Sequence, residues 1–149
     1  MTLNELLIRH NFITKVVFKD GDKELSRDLK VKLMSMRIEL GKLRKEFDAD
    51  VQEVIKGLTP QGYQELAQKE NKTDEDNKQI EDWNNEINAG YNTYIEKKGN
   101  EKHDIKVSLT PEEFDEILQV NVNNNVNING NDIPATDFLE ILYSLFVEE

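Results

Sequence analysis

The sequence predicts a mainly α fold of the α+β kind: a long central helix, shorter helices packed around it, and a small antiparallel β-sheet or hairpin. Three observations carry this expectation. Ten apolar residues from Leu25 to Leu58 recur with every gap three or four residues, the spacing of one helix face. A second stripe, Ile80, Trp83, Ile87, Tyr91, Tyr94 and Ile95, follows Thr73, a residue suited to cap a helix. Near the end, valine or isoleucine alternates with asparagine from Val120 to the pair Asn129-Gly130, a pattern of short strands closed by a tight turn.

In chain order, Thr2 and Glu5 form a capping box for a short helix through about Arg9, with Leu3, Leu6 and Leu7 on one side. Residues 12–18 are aromatic and β-branched and run into Asp20-Gly21, which reads as a strand and turn, with a continued helix as the alternative. The long helix covers about Lys23 to Leu58. Its nine gaps span 33 positions, a mean of about 3.67, near a straight helix and above the 3.5 of a left-handed coiled coil. At 1.5 Å per residue it reaches roughly 50 Å, more than a compact domain of this size needs. Either it bends near Gly41 or part of it meets another molecule. Thr59-Pro60 then opens a short polar helix to about Lys69, residues 70–72 turn, and a helix from Asp74 to Lys98 ends at a left-handed Gly99. Ile105, Val107 and Leu109 alternate as a strand, and Thr110 with Glu113 caps a helix carrying Phe114, Ile117 and Leu118. Pro134 opens an apolar final helix. The sheet is expected from parts of 12–18, 103–109 and 120–129. The expected core is Leu29, Leu33, Met36, Leu40, Leu43, Phe47, Trp83, Ile87, Phe114, Leu118, Phe138 and Leu142.

A chain of 149 residues is expected to form a single domain, helical over 22–98, with a mixed segment 100–149 packing against 1–20. It has no cysteine, which removes disulfides, thiolate metal sites and cysteine nucleophiles. No signal-like or membrane-spanning run is present, which predicts a soluble protein in the cytoplasm of the producing cell. The net charge of −11 disfavours nucleic acid and anionic membranes as partners. That charge is uneven. Lys23 to Lys45 holds eight bases against three acids, and Glu101 to Glu149 holds eleven acids against two bases. Such a dipolar chain can neutralise itself within one molecule or head to tail between copies.

Catalytic patterns are weak. Asn125, Asn127, Asn129 and Gly130 imitate the start of a calcium loop, but the ligands are neutral and Thr136 stands where a bidentate glutamate belongs. His10 and His103 lie far apart without local partners. Glu112, Glu113, Asp115 and Glu116 sit in the first turns of a helix, where their charged form is favoured. No catalytic residue, metal ligand or cofactor is assigned. Trp83, Tyr91 and Tyr94 read as core or as a binding stripe.

The long Leu25–Leu58 helix, the acidic helix around Glu75 to Glu96, and the ending Val126-Asn127-Ile128-Asn129-Gly130 with Phe138-Leu139-Glu140-Ile141-Leu142 together resemble, in layout, small uncharacterised helical proteins of tailed bacteriophages and prophages. The resemblance implies a virion or assembly component and carries over no functional residues. The leading expectation is therefore a non-enzymatic protein that binds itself or another structural subunit, and that resides in the virion if it is phage-encoded. Its contact residues are expected among Arg27, Lys30, Met34, Arg37, Ile38 and Arg44. The alternatives are an acidic decoy that binds a basic nucleic-acid-binding host protein, and an enzyme with a carboxylate-based site.

Overall fold

The computed structural model describes residues 1–148. It is mainly helical, with helices α1 (Leu3–Ile13), α2 (Arg27–Leu58), α3 (Tyr63–Gln68), α4 (Asp74–Gly99), α5 (Pro111–Asn121) and α6 (Ala135–Phe146). Two separate antiparallel hairpins complete it: β1 (Lys19–Asp20) with β2 (Lys23–Glu24), and β3 (Val126–Ile128) with β4 (Asn131–Ile133). The chain divides into two compact units. One comprises Met1–Arg44 with the chain from Lys102 onward, and the other Lys45–Glu101.

The first unit contains the core. Leu29, Leu33, Met36 and Leu40 of α2 are buried with Leu6 and Ile13 of α1, Ile117 and Val120 of α5, and Phe138, Leu142 and Phe146 of α6. Local signals set the helix starts. Thr2 and Thr110 each form a capping box, with Glu5 and Glu113 respectively, so each threonine and its glutamate satisfy backbone N–H groups that the first turn leaves open. Asn129 (φ 53) and Gly130 (φ 82) are both left-handed, the conformation a two-residue turn between twisted strands requires.

Three expectations about strands are corrected. Residues 12–18 do not form a strand: α1 continues through Ile13, and the chain then runs without regular structure to Phe18, with Val16 buried. The continued helix wins because Ile13 falls on the same buried face as Leu3 and Leu6, while side chains from α2 and α5 take up the backbone groups that follow. Residues 103–109 bury Val107 and Leu109 but make no strand. The backbone of Leu109 instead donates to the Phe146 carbonyl at the end of α6 (2.8 Å). Val120 and Asn121 belong to α5, so the hairpin starts at Val126.

The second unit is built from Lys45–Leu58 of α2, with α3 and α4. Leu58 Cδ2 lies 2.7 Å from where a Cβ on Gly90 would sit, and Lys98 feels the charge of Asp50. The pairs 58–90 and 50–98 show that α2 and α4 run antiparallel. Tyr63 of α3 donates to Asn84 Oδ1 (2.6 Å), and its ring lies 6.0 Å from that of Trp83. No residue of this unit is buried. Trp83, Ile87 and Phe47, expected in the core, are half-buried, because two helices and a short third cover one stripe of each other and leave its margins wet. Thr73 and Asp76 form a third capping box. Two helix boundaries differ from expectation. The Thr59 hydroxyl donates to the Ile55 carbonyl (2.7 Å) at the end of α2, and α3 starts after a left-handed Gly62. Gly99 ends α4 within the helix, and Asn100 follows as a right-handed cap.

Candidate interaction surface

The buried residues of α2 recur at 29, 33, 36 and 40. At 100° per residue, positions 27, 31, 34, 38 and 42 fall on the opposite side of the helix. That outward side carries three large apolar side chains in an unbroken row: Val31 is 55% exposed, Met34 52% and Ile38 59%. Exposed Arg27 and Lys42 lie at its two ends.

The six contact residues expected from the sequence separate into two groups. Arg27, Met34 and Ile38 share the outward side. Lys30 is ion-paired with Glu24. Arg37 and Arg44 point inward. Arg37 donates to the carbonyls of Ile13 (3.1 Å) and Val16 and lies over the Phe18 ring, 4.5 Å from its centroid. Burial pulls its guanidinium below its ordinary pKa, yet arginine stays charged. Arg44 donates to the Leu7 carbonyl (2.9 Å) and Asn11 Oδ1 (2.8 Å). Arg37 therefore serves the open end of α1, whose last carbonyls need donors, whereas Arg44 braces α1 along its length through Leu7 and Asn11. Val31 went unnoticed in the sequence because it lies off the core stripe, although its spacing to Met34 and Ile38 is helical.

A second apolar surface lies between α5 and α6. It is an open groove of about 590 Å³ lined by Phe114 and Leu118 of α5, by Val122 at the end of that helix and by Leu139 and Tyr143 of α6, with Thr136 and Glu140. Phe114 and Tyr143 meet edge to face at 5.1 Å. Leu118 and Val122 are 36% and 41% exposed. Leu118 thus forms a groove wall rather than the expected core, whereas Phe114 lines the groove and also packs, half-buried, against the core. Neither helix carries a lysine or arginine, and Asp115, Asp137 and Glu140 are exposed on them.

The polar clusters have structural partners. Asn125 Oδ1 accepts from the Ala135 amide (2.8 Å) at the start of α6, and Asn127 bonds both Gly130 N (3.1 Å) and Asp132 (2.8 Å). The apparent calcium ligands thus brace the β3–β4 hairpin. In the acidic quartet, Glu116 accepts from the Ser26 amide (2.9 Å) and Asp115 from Gln119 (3.0 Å). Lys32 donates to Glu113 at 2.6 Å. Burial pushes the Glu113 carboxyl up, but hydrogen bonds from Lys32 and Thr110 outweigh it and hold the carboxyl below its ordinary range. These contacts tie the basic start of α2 to the acidic start of α5 within one molecule. His10 lies beside Gly41, and the His103 amide donates to the Met1 carbonyl (2.9 Å). Among the described residues, no group of three histidine or acidic side chains is placed to hold a metal ion, and no helix is long and apolar enough to cross a membrane. The chain matches no protein-family model, no curated protein and no solved structure.

Proposed function

We propose that this chain is a non-enzymatic protein-binding protein, a structural or assembly component of a phage particle, and that it binds through the outward side of α2. The observation that carries the reading is the Val31–Met34–Ile38 row. Burying a side chain of this kind contributes about 1.5–3 kcal/mol, so three in a row exposed to water constitute a stored driving force for association. The flanking Arg27 and Lys42 give that surface a sign, favouring an acidic partner and opposing a basic one. The layout resemblance to phage proteins supplies the setting.

The test is a photo-reactive amino acid (p-benzoylphenylalanine) at position 34 in the producing cells. The expected result is a discrete protein adduct that disappears when Ile38→Glu is added. Diffuse labelling unaffected by Ile38→Glu, or no protein adduct, overturns the reading.

A further inference from the structure

Five of the seven most exposed large apolar side chains among the described residues fall in the two surfaces above: Val31, Met34 and Ile38 on α2, and Leu118 and Val122 on α5 and its C-cap. One surface is a ridge and the other a groove. We propose that the protein self-associates head to tail, the α2 ridge of one copy seating in the α5–α6 groove of the next. The inference rests on the binding-protein reading above and names its partner.

Dimensions and charge both support this occupant. From Val31 to Ile38 the ridge is about 10 Å long, and the α5 wall from Phe114 to Val122 about 12 Å, at 1.5 Å per residue. The ridge ends in Arg27 and Lys42, whereas Glu140 lines the groove and neither of its two helices carries a base. A symmetric ridge-to-ridge pairing would bring bases together, and a groove-to-groove pairing would bring acids together. Ridge in groove brings opposite charges together and covers both apolar surfaces. Within that unit Val31, Met34 and Ile38 stay exposed and no α2 residue lines the groove, so a copy does not fill its own groove. The contact is heterologous: each copy keeps one free ridge and one free groove. Such contacts build rings when the rotation closes and filaments when it does not.

This geometry has a distinctive test. Ile38→Glu blocks the ridge and leaves the groove, whereas Leu118→Glu blocks the groove and leaves the ridge. Light scattering after gel filtration is expected to give assemblies larger than a dimer for the unaltered protein, dissociating in raised salt. Each variant alone is expected at the monomer mass of 17.3 kDa, and an equimolar mixture at twice that mass, because one intact ridge meets one intact groove and nothing extends the pair. Far-UV circular dichroism checks that both variants remain folded. If Leu118→Glu loses helix, Val122→Glu replaces it. A monomeric unaltered protein, persistent assembly of either variant, or a mixture that stays monomeric overturns the proposal. A monomeric unaltered protein with a position-34 adduct to a different protein ends self-association alone and leaves the binding reading standing. Loss of both results ends both.

Discussion

Asn121 is fully buried, and its side chain takes part in four hydrogen bonds. Its Oδ1 accepts from the Val17 amide (2.9 Å), and its Nδ2 donates to the Val17 carbonyl (3.0 Å). In this way one amide imitates a strand partner for a segment that has none. Replacing it with alanine leaves both Val17 groups without that partner, and an unsatisfied buried group costs about 1–3 kcal/mol. Asn121→Ala is therefore expected to lower unfolding stability by about 3 kcal/mol, while exposed Asn123→Ala stays within about 0.5 kcal/mol. Urea unfolding midpoints compare the two, and equal effects would refute the role given to Asn121. Glu113 makes a second residue-level case. Its carboxyl titrates below the ordinary value of 4.5 in the folded chain, so the unfolded chain takes up its proton first as pH falls. The stability it contributes is full above that ordinary value and is lost as pH drops through the lower folded value. Glu5, Glu24 and Asp76 are shifted in the same direction. The melting temperature is expected to fall below about pH 4.5, and Glu113→Gln to flatten that fall. An unchanged acid limb in the variant would remove Glu113 from the account.

At the scale of elements, α2 has two different environments along one uninterrupted stripe. From Leu29 to Leu40 its inner side is buried, and from Phe47 to Leu58 the same spacing is half-buried. Periodicity identified the helix but carried no information about how deeply each turn would be covered. Gly57 within α2 and Gly90 on the facing α4 respond differently to a side chain. Nothing lies within 4 Å of a Cβ at Gly57, whereas one at Gly90 meets Leu58. Gly57→Ala is expected to raise stability by about 0.5–1 kcal/mol through helix preference. Gly90→Val is expected to lower it by about 1–3 kcal/mol through overpacking. Thermal melts followed at 222 nm check both, and stabilisation by Gly90→Val would contradict the close α2–α4 approach.

For the whole molecule, the contrast between a unit with a buried core and one without predicts unequal protection. Backbone opening is easiest where few apolar contacts must break. Amides in α3 and α4 are expected to exchange with deuterium sooner than those in α1, α5, α6 and the Leu29–Leu40 stretch of α2. Equal protection throughout would mean that the second unit is held by more than its half-buried seam. The same contrast sets the cost of truncations: Phe138→Ala, at a fully buried position, is expected to cost about 3–5 kcal/mol. Trp83→Ala, at a half-buried position, is expected to cost less.

What the sequence by itself determined is the mainly helical class, three threonine-led helix starts and the Asn129-Gly130 turn. These depend on residues within about four positions of one another, so a local pattern suffices. Of the candidate surface, Met34 and Ile38 were legible as contact residues beside the α2 core stripe, and their place on the opposite side of the helix was not. Only the tertiary structure decided the rest. Residues 12–18 have the composition of a strand, but Asn121, Arg37 and the end of α1 offered that segment other partners. Arg37 and Arg44 have the same charge as Arg27, and they turned inward because carbonyls of the N-terminal segment lay within reach. The groove wall at Leu118 looked like core in one dimension, since helical spacing fixes which side a residue faces and leaves open whether anything comes to cover it, and Val122 looked like part of a strand.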